Sequence, residues 1–349
     1  MATHPSRLSL SAVDRRQFLK TAAVAAGALT ASSIPSHLLF AGEQATSTPT
    51  SEAFVKDLYE TFSPAQKKAI CFDWNHVSPG RGLLRTHVNN NWNITSQDIN
   101  SSFYQPEQRD LIRKIFEGMV NPEWVSKFDT QLNDDAGGFG TDQTIAIFGV
   151  PGSDQFEFVM TGRHMTMRCD GNTTAHVAFG GPIFYGHASE TFNESKDHVG
   201  NVFWVQALAA NGVYKLLDGK QQKAAMVRRT PGEGDAAFRK DIAGLPLSEM
   251  SNDQREAMEG VLSKLLEPYR MTDQEEVRTA LKKMGGLEAC RLAFYADSDL
   301  GNDKVWDNWR LEGPSFVWHF RGNPHVHCWV HVADDASVKL NTPHTLQRG

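Results

Sequence analysis

Cysteine is scarce in this chain. Cys71, Cys169, Cys290 and Cys328 are the four in 349 residues, and no two stand as Cys-x-x-Cys. That excludes a disulfide-dense scaffold and leaves open whether the four pair or stay as buried thiols. Excess charge of one sign is also missing. The net charge is −6 and no long basic patch follows the first residues, so nucleic acid is not an expected partner. His-Glu-x-x-His is absent, which removes the common zinc-protease helix. Gly-x-Ser-x-Gly is absent, which removes the ordinary serine-hydrolase elbow. The glycine-rich stretch Asp134–Gly140 has no strand before it and no lysine. It reads as a connector, not a phosphate loop.

What is present begins with Asp14-Arg15-Arg16-Gln17-Phe18-Leu19-Lys20, followed by a mild run of Ala, Val, Gly and Leu. Paired arginines before a weakly apolar segment read as a twin-arginine export signal. The run is too short and too alanine-rich to span a membrane. Residues 1–45 are therefore expected to be a signal that does not pack on the core, with the twin-arginine machinery as partner and a periplasmic or secreted destination. Residues 46–51 read as a linker and 336–349 as a tail. The roughly 300 residues that remain suffice for one large core, and 52–335 are read as a single domain.

Along that stretch the pattern changes three times. Phe54, Val55, Leu58 and Phe62 recur at helical spacing, and Ser63-Pro64, Pro106 and Pro122 each open a further helix. Residues 73–104 are rich in Asn, Ser and His without periodicity and read as a long loop. Thr144–Val150, Gln155–Cys169 and Thr174–Phe179 read as strands, with Pro-Gly-Ser-Asp and Asp-Gly-Asn as turns between them. Helical patterns return at 197–228, 252–267 and 273–284, with a surface loop at 230–247. Strands come back at Cys290–Tyr295, Val305–Leu311, Phe316–Phe320 and His325–Val332. Helices, strands, helices, strands argue for an α+β fold, an antiparallel sheet from two separated strand blocks with flanking helices.

The densest chemistry lies at the end of the second block. His325, His327 and His331 are two, four or six residues apart, so on one strand they share a face. Neutral imidazole is the commonest protein metal ligand. Arg321-Gly322-Asn323-Pro324 is turn-like. A loop of residues 320–324 sets His319 opposite His325 on the same face; a loop of 321–324 turns His319 away. The longer loop is favoured because it groups the imidazoles. His164, in the first block, completes a candidate ligand set of His164, His319, His325 and His327. All-nitrogen ligation suits zinc, copper or iron without choosing among them. If 156–169 is one strand, Met165, Met167 and Cys169 face away from His164, which disfavours a blue-copper set. His176, His187 and His198 read as surface or hydrogen-bonded side chains. Asp73-Trp74-Asn75-His76 offers an acid–base pair without fixed geometry, and His87 lies in the same loop. Two functions remain: a metal-dependent hydrolase or oxidoreductase of unknown small-molecule substrate, or a non-catalytic ligand-binding protein with Trp74, Trp92, Trp318 and Trp329 lining its surface.

Gly162-Arg163-His164, Pro182-Ile183-Phe184-Tyr185-Gly186, Gln221-Gln222-Lys223-Ala224-Ala225, Gly313-Pro314 and His325-Val326-His327 occur in that order. Together they resemble the exported bacterial family called domain of unknown function 3500, over about residues 53–333. The resemblance implies an exported α+β protein and draws attention to His164, His325 and His327, without giving them roles. One departure is visible. Similar proteins more often carry an acidic residue where this chain has His319.

Overall fold

The structure is a computed structural model, and it describes residues 50–188, 201–299, 302 and 304–346. The expected signal at 1–45, most of the 46–51 linker and His198 lie outside these residues. The described residues belong to one compact unit.

In chain order the helices are α1 (Ser51–Thr61), α2 (Pro64–Ile70), α3 (Pro106–Met119), α4 (Val125–Ala136), α5 (Trp204–Leu216), α6 (Gly219–Ala225), α7 (Asn252–Leu266), α8 (Met271–Lys283) and α9 (Pro343–Leu346). The strands are β1 (Cys71–Phe72), β2 (Val77–Ser78), β3 (Gly82–Leu83), β4 (Gln143–Gly149), β5 (Phe156–Gly162), β6 (Met165–Cys169), β7 (Ile183–His187), β8 (Met226–Val227), β9 (Leu245–Pro246), β10 (Arg291–Tyr295), β11 (Asn308–Gly313), β12 (Phe316–Arg321) and β13 (Val326–Val332). Helix starts follow local chemistry. Ser63 caps α2 through the Gln66 amide with Pro64 at the first position, and Ser251 does the same for α7 through Gln254.

The fold is α+β, but the strand blocks are not separate. One 11-stranded sheet runs β1-β4-β5-β6-β7-β13-β12-β11-β10-β8, with β9 also on β10. The blocks, apart in sequence, fuse where β7 pairs antiparallel with both β6 and β13. Only the short pairs β1/β4 and β8/β10 are parallel, so the sheet is mixed. Two strand readings need correction. Gln155–Cys169 is a hairpin, β5–β6, turning at Arg163-His164. Thr174–Phe179 is not a strand; the third strand of the block is β7. The hairpin pairs Phe158 with Cys169 and Met160 with Met167, so these residues share a face.

The two faces of the sheet are covered differently. Phe158, Met160, Met167, Cys169, Phe316, Trp318, Phe320, Cys328 and Val330 pack with α1, α3, α5 and α7 in the main core. The other face, carrying Val159, Thr161, Phe184, Val317 and Trp329, is covered by irregular chain. Leu84, Trp92 and Ile94 of the long loop pack there, as do Val88, Ala236 and Leu340. Side chains pin this covering. Trp92 Nε1 donates to Thr166 Oγ1 (2.9 Å), and Ile94 N donates to Thr161 Oγ1 (2.9 Å). Buried Arg168 donates to Glu157 (2.6 Å), to the His87 carbonyl (2.7 Å) and to the Arg85 carbonyl. The four cysteines are free thiols.

Candidate metal centre

Three of the four expected histidines meet at one end of the sheet. His164 sits in the β5–β6 turn with φ 55°, a left-handed value that a non-glycine residue adopts at a cost. Its backbone is held on both sides: its N–H donates to Asn91 Oδ1 (3.0 Å) and its carbonyl accepts from Gly186 N (3.1 Å). Gly186 lies directly opposite His327 in the β7/β13 ladder. His164 in the turn, Gly186 on β7 and His327 on β13 therefore form one row. The glycine leaves the gap into which the rings converge. A Cβ there would strike the Val326 carbonyl and stand 3.3 Å from His164 Cδ2.

Across that gap His164 Nε2 is 3.1 Å from His327 Nε2, and His325 Nε2 is 2.9 Å from the same atom. The three candidate ligand atoms lie within 4.8 Å of one another. Nitrogens around one zinc ion, about 2.0–2.1 Å from it, stand roughly 3–3.5 Å apart. His164 and His327 are almost fully buried and His325 is half-buried.

Two carboxylates set the tautomers. Asp135 Oδ2 accepts from His164 Nδ1 at 2.8 Å, and Glu233 Oε1 accepts from His327 Nδ1. A carboxylate only accepts, so each Nδ1 carries the proton and each neutral ring turns the Nε2 lone pair inward. Two such lone pairs 3.1 Å apart repel unless a cation lies between them. Asp135 is anchored by Gln131 Nε2 (3.0 Å) and Ala188 N (2.9 Å). Glu233 is anchored by Arg321 Nη1 (2.8 Å) and Asn90 Nδ2 (3.0 Å).

Electrostatics agree with neutral rings at His325 and His327 and with charged carboxylates at Asp135 and Glu233. Burial, with the nearby His327 and His164 rings, pushes His325 down to about 4. Burial also lowers His327, although Glu233 opposes it. Burial alone would raise Glu233, but the His327 hydrogen bond and the Arg321 charge outweigh it and bring Glu233 down to about 2. Asp135 is lowered in the same way: burial opposes, and the His164 hydrogen bond prevails.

His319 is elsewhere. It shares the face of His327, but its cross-strand neighbours are Trp329 on β13 and Arg310 on β11. The hairpin places Arg321 opposite His327. The parity expected for the longer loop is kept, but the register slides His319 toward the middle of the sheet and away from the ring cluster. It is fully buried and neither ring nitrogen has a hydrogen-bond partner. An acidic residue at this position would face Arg310. His331 is stacked on Phe238 at 4.0 Å, also away from the cluster. His87 is buried beside Trp92, and His187 is buried with Asp134 3.3 Å from its Nε2. His176 is exposed and paired with Asp334 at 2.8 Å. The tryptophan surface is not formed, since Trp92, Trp318 and Trp329 are buried and Trp74 packs against the second cluster.

Sequence reasoning missed Asp135 and Glu233. Asp134-Asp135 falls in the stretch read as a connector, but it forms the last turn of α4. Negative charge there opposes the helix dipole, by about 0.3–1 kcal/mol per charge. Such a local conflict marks a position chosen for something other than helix stability, and it was readable. Glu233, between two glycines in an aperiodic loop, gave no signal.

The family model described as Protein of unknown function (DUF3500) matches residues 44–348. The chain belongs to the DUF3500 family. No curated protein and no solved structure matches it. Within this DUF3500 chain, the cluster of His164, His325 and His327 is the group of metal-ligating side chains found among the described residues. No described helix is long and apolar enough to cross a membrane.

Proposed function

We propose that this is an exported bacterial metalloprotein in which His164, His325 and His327 hold one zinc, copper or iron ion through Nε2. The observation that carries the reading is the pair of inward Nε2 atoms 3.1 Å apart, each fixed by a carboxylate on its Nδ1. Three protein nitrogens leave a coordination position for water or substrate, the arrangement of catalytic sites as opposed to closed structural ones. The activity that suits it is metal-assisted hydrolysis; with copper or iron the same ligands would support oxidation. Export through the twin-arginine route rests on Arg15-Arg16 and the mild apolar run behind them. That route delivers folded protein, and it would carry the ion already bound.

Elemental analysis of protein purified without an affinity tag tests the metal. One equivalent of a transition metal is expected, and its loss in His325→Ala/His327→Ala protein that remains folded. Wild-type protein free of metal after incubation with zinc, copper and iron salts would overturn the reading.

A further inference from the structure

We infer that the three ligands are unequal: His164 and His327 hold the ion permanently, and His325 is an exchangeable arm at the solvent side, where the ion enters and a small monoanionic Lewis base coordinates. This rests on the metal reading above and adds a division of labour to it.

The division follows from how each ring is held. His164 is buried, its Nδ1 locked to Asp135, its backbone clamped by Asn91 and Gly186. His327 is buried within β13, its Nδ1 locked to Glu233 and its strand paired on both sides. His325 has none of these restraints. It precedes β13 in the loop after Arg321, is half-buried, and makes its hydrogen bond through Nε2 to His327. No carboxylate fixes its Nδ1 among the described contacts. Outer-sphere partners raise ligand basicity and hold ring orientation. A ring without one is the weakest of the three, and being nearest solvent it is the one that leaves without opening the core.

The anion follows from charge. Three neutral imidazoles cancel none of a divalent ion's charge in the inner shell. Glu233 shares its charge with Arg321, which leaves Asp135 as the nearby carboxylate without a cationic side-chain partner other than its histidine. The ion keeps net positive charge at its open position, and a small anion such as hydroxide, azide or a carboxylate satisfies it.

Cobalt(II), a spectroscopic stand-in for zinc, provides the test. The full chain and its His164→Ala, His327→Ala and His325→Ala variants are loaded with one equivalent and desalted. Circular dichroism checks folding, and Gln replaces Ala where a variant unfolds. Expected is retention by wild type, loss in the 164 and 327 variants, and weakened but measurable retention at 325. Free imidazole should return the wild-type visible spectrum to the 325 variant alone, because only that vacancy reaches solvent. Azide should shift the visible bands of the wild type. Equal loss at all three positions, or imidazole rescue at 164 or 327, overturns the division while leaving a metal site standing. An azide-silent spectrum overturns the anion position. Wild type that takes up no cobalt and no zinc overturns both this inference and the reading beneath it.

Discussion

The two faces of the sheet are built by different means. The helix-covered face is apolar along its whole length, from Phe158 through Trp318 to Val330. The other face is covered by chain without regular structure, and nearly every buried polar group of interest lies on it: Arg168, Glu157, His319, Arg310, His331 and His327. Regular helices offer chiefly side chains, because away from their ends their own backbone groups are already paired. Irregular chain brings carbonyls as well. The Arg85 and His87 carbonyls accept from Arg168, and the Asp235 carbonyl accepts from Arg310. The face that needs polar partners is therefore the one without helices, and the metal centre opens at its edge.

If polar anchors hold the irregular face, removing one should cost more than removing a core methyl group. Arg168 is the strongest of them. Arg168→Leu leaves Glu157 fully buried with Arg85 3.6 Å away as its remaining cation, and frees three carbonyls. Breaking a buried pair in this way costs about 3–5 kcal/mol. Urea denaturation checks it, against Ile115→Val on the helix face at about 0.5–1.5 kcal/mol. Equal losses would erase the distinction between the faces.

The next effect is on metal affinity, not on stability. Asp135 reaches the centre from α4 and Glu233 from the irregular cover. Asp135→Asn and Glu233→Gln should each weaken metal binding by about 10- to 100-fold while the fold persists. Competition with a chelating dye measures it. An effect confined to Asp135 would mean that the irregular cover contributes only shielding.

The same contrast explains what could be read in the sequence. Periodicity located the longer helices and strands, because regular backbone translates spacing into direction; the two-residue spacing of His325 and His327 pointed to a pair, although His325 lies in the loop before β13. The pairing of His164 with them followed from one histidine in each block. What failed was register and the irregular cover. Periodicity sets His164 in a continuous strand, but Arg163-His164 is the turn after β5, and the histidine's left-handed φ is what aims it. The spacing groups His319 with the site by setting the turn at 320–324, whereas the turn lies two residues further on, after the Arg321–His327 pair. Glu233 had no period to betray it, since the segment that carries it takes its shape from the sheet it lies on.

Acid should separate the faces in opposite senses. Burial holds His87, His325 and His331 down to about 4 from the ordinary 6.5. The unfolded chain then binds more protons than the fold between those values, so their contribution is fully present above pH 6.5 and is lost as pH falls toward 4. On the helix side, burial raises Asp273 to about 6 and Glu276 to about 7. There the folded state binds more protons, and lowering the pH through that range stabilises it. Hydrogen exchange on metal-free protein should show segments 84–94 and 232–239 losing protection between pH 6.5 and 4 while α8 keeps it. Simultaneous loss in both would show that the cover and the helices open as one unit.

The smallest expected effect is at His319. It lies on the polar face and has no hydrogen-bond partner for either nitrogen. Burial and the Arg310 and Arg321 charges hold it well below its ordinary value, with only a partial offset from the backbone of Trp309, so it is neutral. A buried neutral polar group without partners costs about 1–3 kcal/mol. Leucine removes that cost at similar volume, but gives part of it back through imperfect packing beside Trp329 and Arg310. His319→Leu should therefore raise stability by about 1 kcal/mol at most, with metal retention unchanged. That outcome would separate it from His327 on the same face and from His325 in the loop beside it. A His319→Leu protein that loses its metal would place His319 functionally in the centre despite its position, and the contrast between anchored and unanchored polar groups would have to be redrawn.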